Sequence, residues 1–280
     1  MFLRWIRHSK VLTIGFTLTT LSMSALALSF TTIQVPGATQ TDVIAVNSSL
    51  DIVGNYYDSA SVLHGFLLHN GTYFNVDPPG STFTSATGIS TQGDIVGDYT
   101  DSSGNHGFLA RQGVFTAIDV PSSLATQATG INSNGDIVGF YLQGTSYHGF
   151  LLHKGAFSTI DFPGATATEP GGINSNGDIV GAWLDGNGLE HGFLLHAGVW
   201  TSFDVPNAAL TVAWGINAGG DIAGYYVDGV AGAGFRGFLL QHGTFTTIDF
   251  PGTSSDTIVL GVNSGDAVVG NSGGNGFVAD

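Results

Sequence analysis

Apolar residues along this chain occur in short runs that are separated by turns rich in glycine and asparagine. In the segment 127–164, Asn134-Gly135 and Lys154-Gly155 mark two such turns, where residues that tolerate positive φ are favoured. The runs predict four strands, at residues 129–132, 136–141, 148–153 and 156–162. No helical stretch interrupts them, so an all-β protein is expected.

The strand at 148–153 is apolar at consecutive rather than alternate positions. A sheet with one wet face would alternate, whereas a sheet stacked between two neighbours is covered on both sides. The chain is therefore predicted to stack its sheets face to face.

Six copies of this unit follow one another. The string GDIVG or a close variant ends at Gly54, Gly97, Gly139, Gly181, Gly224 and Gly270, and a second string, HGFLL, keeps step with it. The copies lie about 42 residues apart, and four strands in a unit of that length are typical of a propeller blade. An open solenoid or stacked sheets are the alternatives.

The two ends of the repeat array are complementary. Residues 30–36 have the sequence of a fourth strand with no unit before it, and the last unit supplies three strands at 258–263, 267–270 and 276–279. Pairing them would complete the last blade and remove an exposed sheet edge. We therefore predict a six-bladed β-propeller with four antiparallel strands per blade, closed by residues 30–36.

Residues 1–27 have the form of a signal peptide. Three basic residues precede an apolar run that is too short and too interrupted for a membrane span, and the small residues Ala25 and Ala27 mark a cleavage site. The mature protein would then be one domain, 28–280, that is secreted, extracellular or periplasmic and has no membrane span.

Removal of this leader makes the chain strongly acidic. It takes three of the six Lys and Arg residues and none of the 21 Asp and Glu residues, which leaves a net charge of 3 − 21 = −18. Nucleic acids and anionic membranes are poor partners for such a surface. The absence of cysteine excludes disulfides, thiol catalysis and cysteine-based zinc sites.

The string HGFLLHKGAFSTIDFPGA, followed by GINSNGDIVG, resembles the bacterial extracellular repeat called HAF. The resemblance covers residues 30–280. Glycine replaces the alanine of the family's name triplet at Gly65, Gly107, Gly149 and Gly192. The resemblance implies an exported, propeller-like bacterial protein, and it brings no established activity or catalytic residues.

Histidines and aspartates recur at fixed places in the units. His64, His106, His148 and His191 are replaced by Arg236 and Asn275 in the last two copies, and these residues share hydrogen-bond donation rather than metal affinity. The aspartates that follow the first hairpin turn recur in all six copies, so they are expected to fix that turn by accepting backbone N–H bonds. We expect no metal site and no cofactor, with calcium at the Asn- and Asp-rich turns as the alternative.

Residues that differ between copies are the better candidates for function. The only two glutamates, Glu169 and Glu190, fall around the fourth blade, and both are expected in connections on the same side of the ring. Aromatic residues that vary nearby are Tyr147, Trp183, Trp214 and Tyr226. Aromatic platforms beside carboxylates suit a sugar-like ligand.

The sequence thus favours a secreted binding or interaction module, with an unidentified extracellular ligand or protein as its partner. One alternative is an extracellular carbohydrate-active hydrolase or lyase that uses Glu169 and Glu190 as acid and base. The other is a structural envelope or matrix protein.

Overall fold

A computed structural model describes residues 28–230, 233–252 and 256–280. The predicted signal peptide lies outside these residues. The described chain is all-β, with twenty-four strands and no helix. Within those ranges, nothing forms a helix that is long and apolar enough to cross a membrane.

The first eight strands are β1 (Phe30–Ile33), β2 (Gln40–Val46), β3 (Ile52–Tyr57), β4 (Leu63–His69), β5 (Thr72–Asn75), β6 (Phe83–Ile89), β7 (Ile95–Asp101) and β8 (Gly104–Arg111). The next eight are β9 (Val114–Ile118), β10 (Ala125–Ile131), β11 (Ile137–Gln143), β12 (Ser146–His153), β13 (Ala156–Thr159), β14 (Ala167–Ile173), β15 (Ile179–Leu184) and β16 (Glu190–His196). The last eight are β17 (Val199–Phe203), β18 (Ala208–Ile216), β19 (Ile222–Asp228), β20 (Phe235–Gln241), β21 (Thr244–Ile248), β22 (Thr257–Val262), β23 (Val268–Ser272) and β24 (Asn275–Ala279).

Each sequence unit folds as an antiparallel meander, and the meanders are arranged as a β-propeller. Units 1, 4 and 5 form separate four-stranded sheets from β2–β5, β14–β17 and β18–β21. Units 2 and 3, β6–β9 and β10–β13, share one eight-stranded sheet, joined through the single parallel pair Ala125 and Asn105. Unit 6, β22–β24, forms a four-stranded sheet with β1.

The first strand of the described chain pairs with the last. Phe30 lies opposite Ala279 and Ile33 opposite Gly276, in antiparallel register. Backbone bonds between Ser29 and Asp280, at 2.8 and 3.1 Å, extend the pairing. The predicted completion of the last sheet by the N-terminal segment is therefore present, although the strand ends at Ile33 rather than at residue 36.

The core is divided into layers between successive units. The phenylalanine of the HGFLL string is almost completely buried in all six copies, at Phe66, Phe108, Phe150, Phe193, Phe238 and Phe277. Phe193 packs in a cluster with Val138 of the preceding unit, and Phe66 packs with Val269 of the last unit. Burying such a side chain contributes about 1.5–3 kcal/mol, so these layers hold neighbouring units together.

Asparagine side chains link the inner turns around the axis. Their Nδ2 groups donate to a backbone oxygen of the following unit, in the bonds Asn47 to Ser90, Asn132 to Asn174, Asn174 to Asn217, Asn217 to Asn263 and Asn263 to Asn47. The bond from Asn263 to Asn47 measures 3.2 Å and joins the last unit to the first. The ends of the array are thus connected at the axis as well as at the closing strand.

The same turns correct one expectation. Asn132 Oδ1, not the aspartate, accepts the backbone N–H groups of Asn134 and Asp136, at 2.9 and 3.0 Å. The Asp136 carboxylate instead accepts a bond from Asn132 Nδ2 and lies 2.6 Å from Nδ1 of His153. An amide carries both a donor and an acceptor, so it can fix its own turn and hold the aspartate at once.

Candidate functional site

The repeated histidines belong to the framework. Nδ1 of His64 lies 2.9 Å from Asp77, and Nδ1 of His148 lies 2.8 Å from Asp161. In unit 5, Arg236 takes the histidine's place and pairs with Asp249. The predicted role of these residues as hydrogen-bond donors is confirmed by these contacts.

The residue differs from unit to unit at three register positions of each sheet, except that asparagine occurs twice at the second-strand position, and we call these the variable positions. On the first strand they are Asp42, Ser85, Gln127, Glu169, Val212 and Ile258. Directly opposite, on the second strand, they are Asn55, Asp98, Phe140, Ala182, Tyr225 and Asn271. On or just before the third strand they are Leu63, Asn105, Tyr147, Glu190, Phe235 and Gly274.

The variable positions face the following unit. Asn55 of unit 1 bonds to Ser85 Oγ and accepts the N–H of Ala86, at 3.0 and 2.8 Å. Asn271 of unit 6 accepts the N–H of Val43 at 2.6 Å and donates to its carbonyl at 3.1 Å. Successive strand residues point to opposite faces, so first- and second-strand variable side chains share one interblade face.

Glu169 and Glu190 lie on this face of unit 4. Glu169 is within β14 opposite Ala182, and Glu190 begins β16 opposite Leu184. Their expected placement in connecting loops was wrong, because β14 extends past Glu169 and β16 begins at Glu190. The strands nevertheless put both carboxyl groups on the same face, beside the small side chain of Ala182.

Unlike almost all the other acidic residues, the two glutamates have no hydrogen-bond donor in the described chain. Among the described residues, every other acidic side chain except that of Asp280 has a donor: a histidine, an arginine, an amide, a hydroxyl or a backbone N–H. Glu169 is half-buried nonetheless. Burial and the neighbouring charge of Glu190 raise the pKa of the Glu169 carboxyl above its ordinary value.

Tyr225 of unit 5 belongs to the same electrostatic group. Burial raises its pKa to about 12, and the charges of Glu190 and Glu169 add to that rise. Its ring meets Phe235 edge-on at 5.6 Å. Sequence reasoning missed Tyr225, although it follows the GDIVG-type string in the place that Asn55 and Asn271 occupy in other copies.

Two of the aromatic candidates have structural roles on the opposite face. Trp183 stacks on Phe162, with ring centroids 4.3 Å apart, and its Nε1 donates to Ser202 Oγ at 3.0 Å. Tyr226 is 3% exposed, and its hydroxyl bonds to Thr247 at 3.0 Å. A ligand on the variable positions therefore meets neither ring.

Trp214 lies on the central axis instead. It lines a channel cavity of about 80 Å³, at the position where other units place Ile44, Thr87, Thr129, Gly171 and Leu260. A Cβ on Gly171 would lie 2.9 Å from the Trp214 Cα, so only glycine fits beside it. The buried indole Nε1–H has no partner among the described residues.

Tyr147 is the remaining aromatic candidate, and it occupies the third-strand variable position of unit 3. It is 39% exposed and meets Phe140 edge-on at 5.5 Å. Tyr147 is therefore accessible to a ligand, but its interblade face lies one unit before that of Glu169 and Glu190.

Two further carboxyl groups with a raised pKa occupy variable positions. Burial raises the pKa of Asp42, which Gln40 opposes by hydrogen bonding, and raises that of Asp98 to about 7. Perturbed carboxyl groups cluster at functional sites, although structural groups are perturbed as well. No three His, Asp or Glu side chains of the described ranges are grouped so as to hold a metal ion.

Solved structures with a similar fold give the class of protein. No family model and no curated protein matches the chain. Virginiamycin B lyase from Staphylococcus aureus is 13% identical with a TM-score of 0.52, and covers 90% of this chain and 99% of its own. A gluconolactonase from Xanthomonas campestris is 14% identical with a TM-score of 0.54, and covers 86% of both chains.

TolB from Acinetobacter baumannii is 10% identical with a TM-score of 0.55, and covers 85% of this chain and 62% of its own. Identities this low establish the fold and no activity. The chain is a β-propeller protein.

Proposed function

We propose that the protein is an exported six-bladed β-propeller of the HAF-repeat type. The eight-stranded sheet separates naturally into two blades, since one residue pair joins its halves. The first strands of all six units contribute residues to the central channel. The leader-like residues 1–27 support export, and the six repeat copies support the resemblance.

Its function is to bind an extracellular ligand at the cleft between the fourth and fifth blades. The observation that carries this proposal is the pair Glu169 and Glu190, which occupy variable positions and have no hydrogen-bond donor in the described chain. A partly buried carboxylate without a donor is costly, and a ligand that supplies donors would remove that cost. The cleft is thus suited to a donor-rich ligand.

A sugar or another polyhydroxylated molecule has this chemistry. Its hydroxyl groups can donate to Glu169 and Glu190. The net charge of −18 after leader removal, 3 − 21, disfavours anionic ligands. A neutral glycan is therefore the ligand class that we propose.

A glycan array followed by calorimetry on the strongest hit tests this function. Glu169→Gln and Glu190→Gln each replace a carboxylate by an amide and should weaken binding at least about tenfold, since a charged acceptor contributes about 1.5–3 kcal/mol. Asp280→Asn is the matched control, because it removes one negative charge elsewhere from a side chain that also has no donor. Equal affinity in all three variants would show that this cleft is not the glycan-binding site.

A second candidate function is a glycan-cleaving hydrolase or lyase at the same cleft. The raised pKa of Glu169 favours it, because a general acid must hold its proton near neutral pH. Turnover on a polysaccharide panel that disappears in Glu169→Gln would establish this activity. Glycan binding without turnover would favour the binding module over the enzyme.

A further inference from the structure

Asp98 is a buried acid at the interface between units 2 and 3. It is 5% exposed and lies on β7 opposite Ser85 and Gly107. A Cβ on Gly107 would reach Ile118 O at 2.9 Å and the backbone nitrogen of Ala128 at 3.5 Å, so this face packs against β10. The binding cleft proposed above does not include Asp98.

The same position holds an amide in two other units. Asn55 and Asn271 each bond as both donor and acceptor to the inner strand of the following unit. A carboxylate can only accept, whereas a protonated carboxylic acid has a donor and an acceptor, as an amide does. Asp98 can therefore act as both donor and acceptor, as these asparagines do, only in its neutral form.

Asn105 offers a hydrogen-bond acceptor for the proton of a neutral Asp98. It is the third-strand variable residue on the same face as Asp98. Hydrogen bonding by its side chain opposes the rise in the Asp98 pKa, and its Nδ2 donates to Thr100 Oγ1 at 3.4 Å. Its Oδ1 is buried and has no hydrogen-bond partner in the described chain. An unsatisfied buried acceptor costs about 1–3 kcal/mol, so a donor at this point would be stabilising.

Among the described residues that pack on β7, no cation is placed to hold Asp98 in its charged form. Strands β6 and β10, which pack on β7, carry no titratable residue. The basic and titratable residues of β8 are His106 and Arg111, which pair with Asp119 and Asp94.

On β7 itself, two other titratable side chains are present. Tyr99 points to the opposite face, and Asp101 ends the strand and accepts bonds from Ser103. Neither supplies a positive charge to Asp98.

We propose that Asp98 is held as the neutral acid in a cyclic pair with Asn105, and that its ionisation weakens the joint between units 2 and 3. The carboxyl O–H donates to Asn105 Oδ1, and the Asn105 N–H donates to the carboxyl oxygen. On ionisation the proton passes to solvent, the Asn105 acceptor loses its donor, and a buried charge remains with only the Asn105 N–H to stabilise it. The propeller thus contains a pH-sensitive joint outside the proposed binding cleft.

The direction of the pH effect follows from burial, which raises the pKa of Asp98 from 3.8 to about 7. The folded state therefore binds the proton more tightly than the unfolded state. The stability from this group is fully present below pH 3.8 and is lost as pH rises through about 7. A paired surface aspartate would show the reverse dependence.

Thermal unfolding of the protein and of Asp98→Asn between about pH 5 and pH 8 tests the joint. The melting temperature of the unsubstituted protein should fall by several degrees over this range, and Asp98→Asn should remove most of that fall. Asp280→Asn, with the same change of charge, should keep it. Equal pH dependence in the protein and in Asp98→Asn would overturn the proposal.

Infrared difference spectroscopy supplies a second measurement that does not depend on stability. Below neutral pH, the protein should show a carbonyl band of a protonated carboxylic acid that shifts in Asn105→Ala and is absent in Asp98→Asn. A spectrum at about pH 5 with no band removed by Asp98→Asn would show that Asp98 is ionised, and would refute the cyclic pair.

Discussion

Apart from the joint at Asp98 between units 2 and 3, the joints between units fall into two groups that use the same register position differently. From unit 6 to unit 1 and from unit 1 to unit 2, Asn271 and Asn55 tie the neighbouring inner strands together through paired hydrogen bonds. Between units 3 and 6 the same position holds Phe140, Ala182 and Tyr225, which cannot form that pair. The contrast distinguishes positions that join neighbouring units by hydrogen bonds from positions that can contact a ligand.

The amide-tied joints should be the more sensitive to mutation. Asn271→Ala removes both partners from the backbone of Val43, which is 0% exposed, and should lower the free energy of unfolding by about 2–4 kcal/mol. Chemical denaturation measures the loss. Asn275→Ala is the control, since that amide makes one exposed bond to Gly273, and an equal loss in both variants would contradict the contrast.

Adjacent tyrosines in unit 5 provide a smaller test. Tyr226→Phe removes the hydroxyl that bonds to Thr247, so it should cost about 1 kcal/mol of stability and leave ligand affinity unchanged. Tyr225→Phe should leave stability unchanged and alter ligand affinity, because the charges of Glu190 and Glu169 act on this phenol, whose hydroxyl has no hydrogen-bond partner among the described residues. Denaturation and calorimetry on both variants distinguish the roles, and a shared pattern would mean that the two faces are not functionally distinct.

Glu190→Gln should change stability least of these variants, and its effect should appear in the pKa values of neighbouring groups. Removing its negative charge should lower the pKa of the Glu169 carboxyl and that of Tyr225, because that charge contributes to raising both. Carboxyl and tyrosine titrations by NMR measure the shifts. Asp280→Asn should leave both values unchanged, and unshifted titrations in Glu190→Gln would show that the glutamates do not interact.

Much of the fold follows from the repeated strings. Hairpin signals such as Asn134-Gly135 locate the turns, and the consecutive apolar residues of β12 indicate a sheet covered on both faces. The offset between the chain ends predicts the pairing of β1 with β24, because an unpaired strand at one end matches a missing strand at the other. These inferences rest on local chemistry that every copy repeats.

The candidate site was harder to place, since it depends on which face each side chain occupies. Glu169 precedes Pro170, and proline is unusual within a central strand, so the segment resembles a loop in sequence. The strand accommodates Pro170 because β14 lies at the edge of its sheet and the register shifts between Pro170 and Gly172. Tyr225 would have been found by comparing the residue after the GDIVG string in all copies, where it replaces an asparagine.

Closure by β1 also constrains the order of folding. The contacts from Phe30 to Ala279 and from Asn263 to Asn47 join residues that are very distant in sequence, whereas each meander pairs only close neighbours. Contacts of high sequence separation form slowly, because the chain entropy of closing the loop is lost before they form. The meanders can therefore form early and locally. The ring closes only when β1 pairs with β24. Joining the bonded residues Ser29 and Asp280 with a short linker, and opening the chain between two units, would move that final step to a different joint.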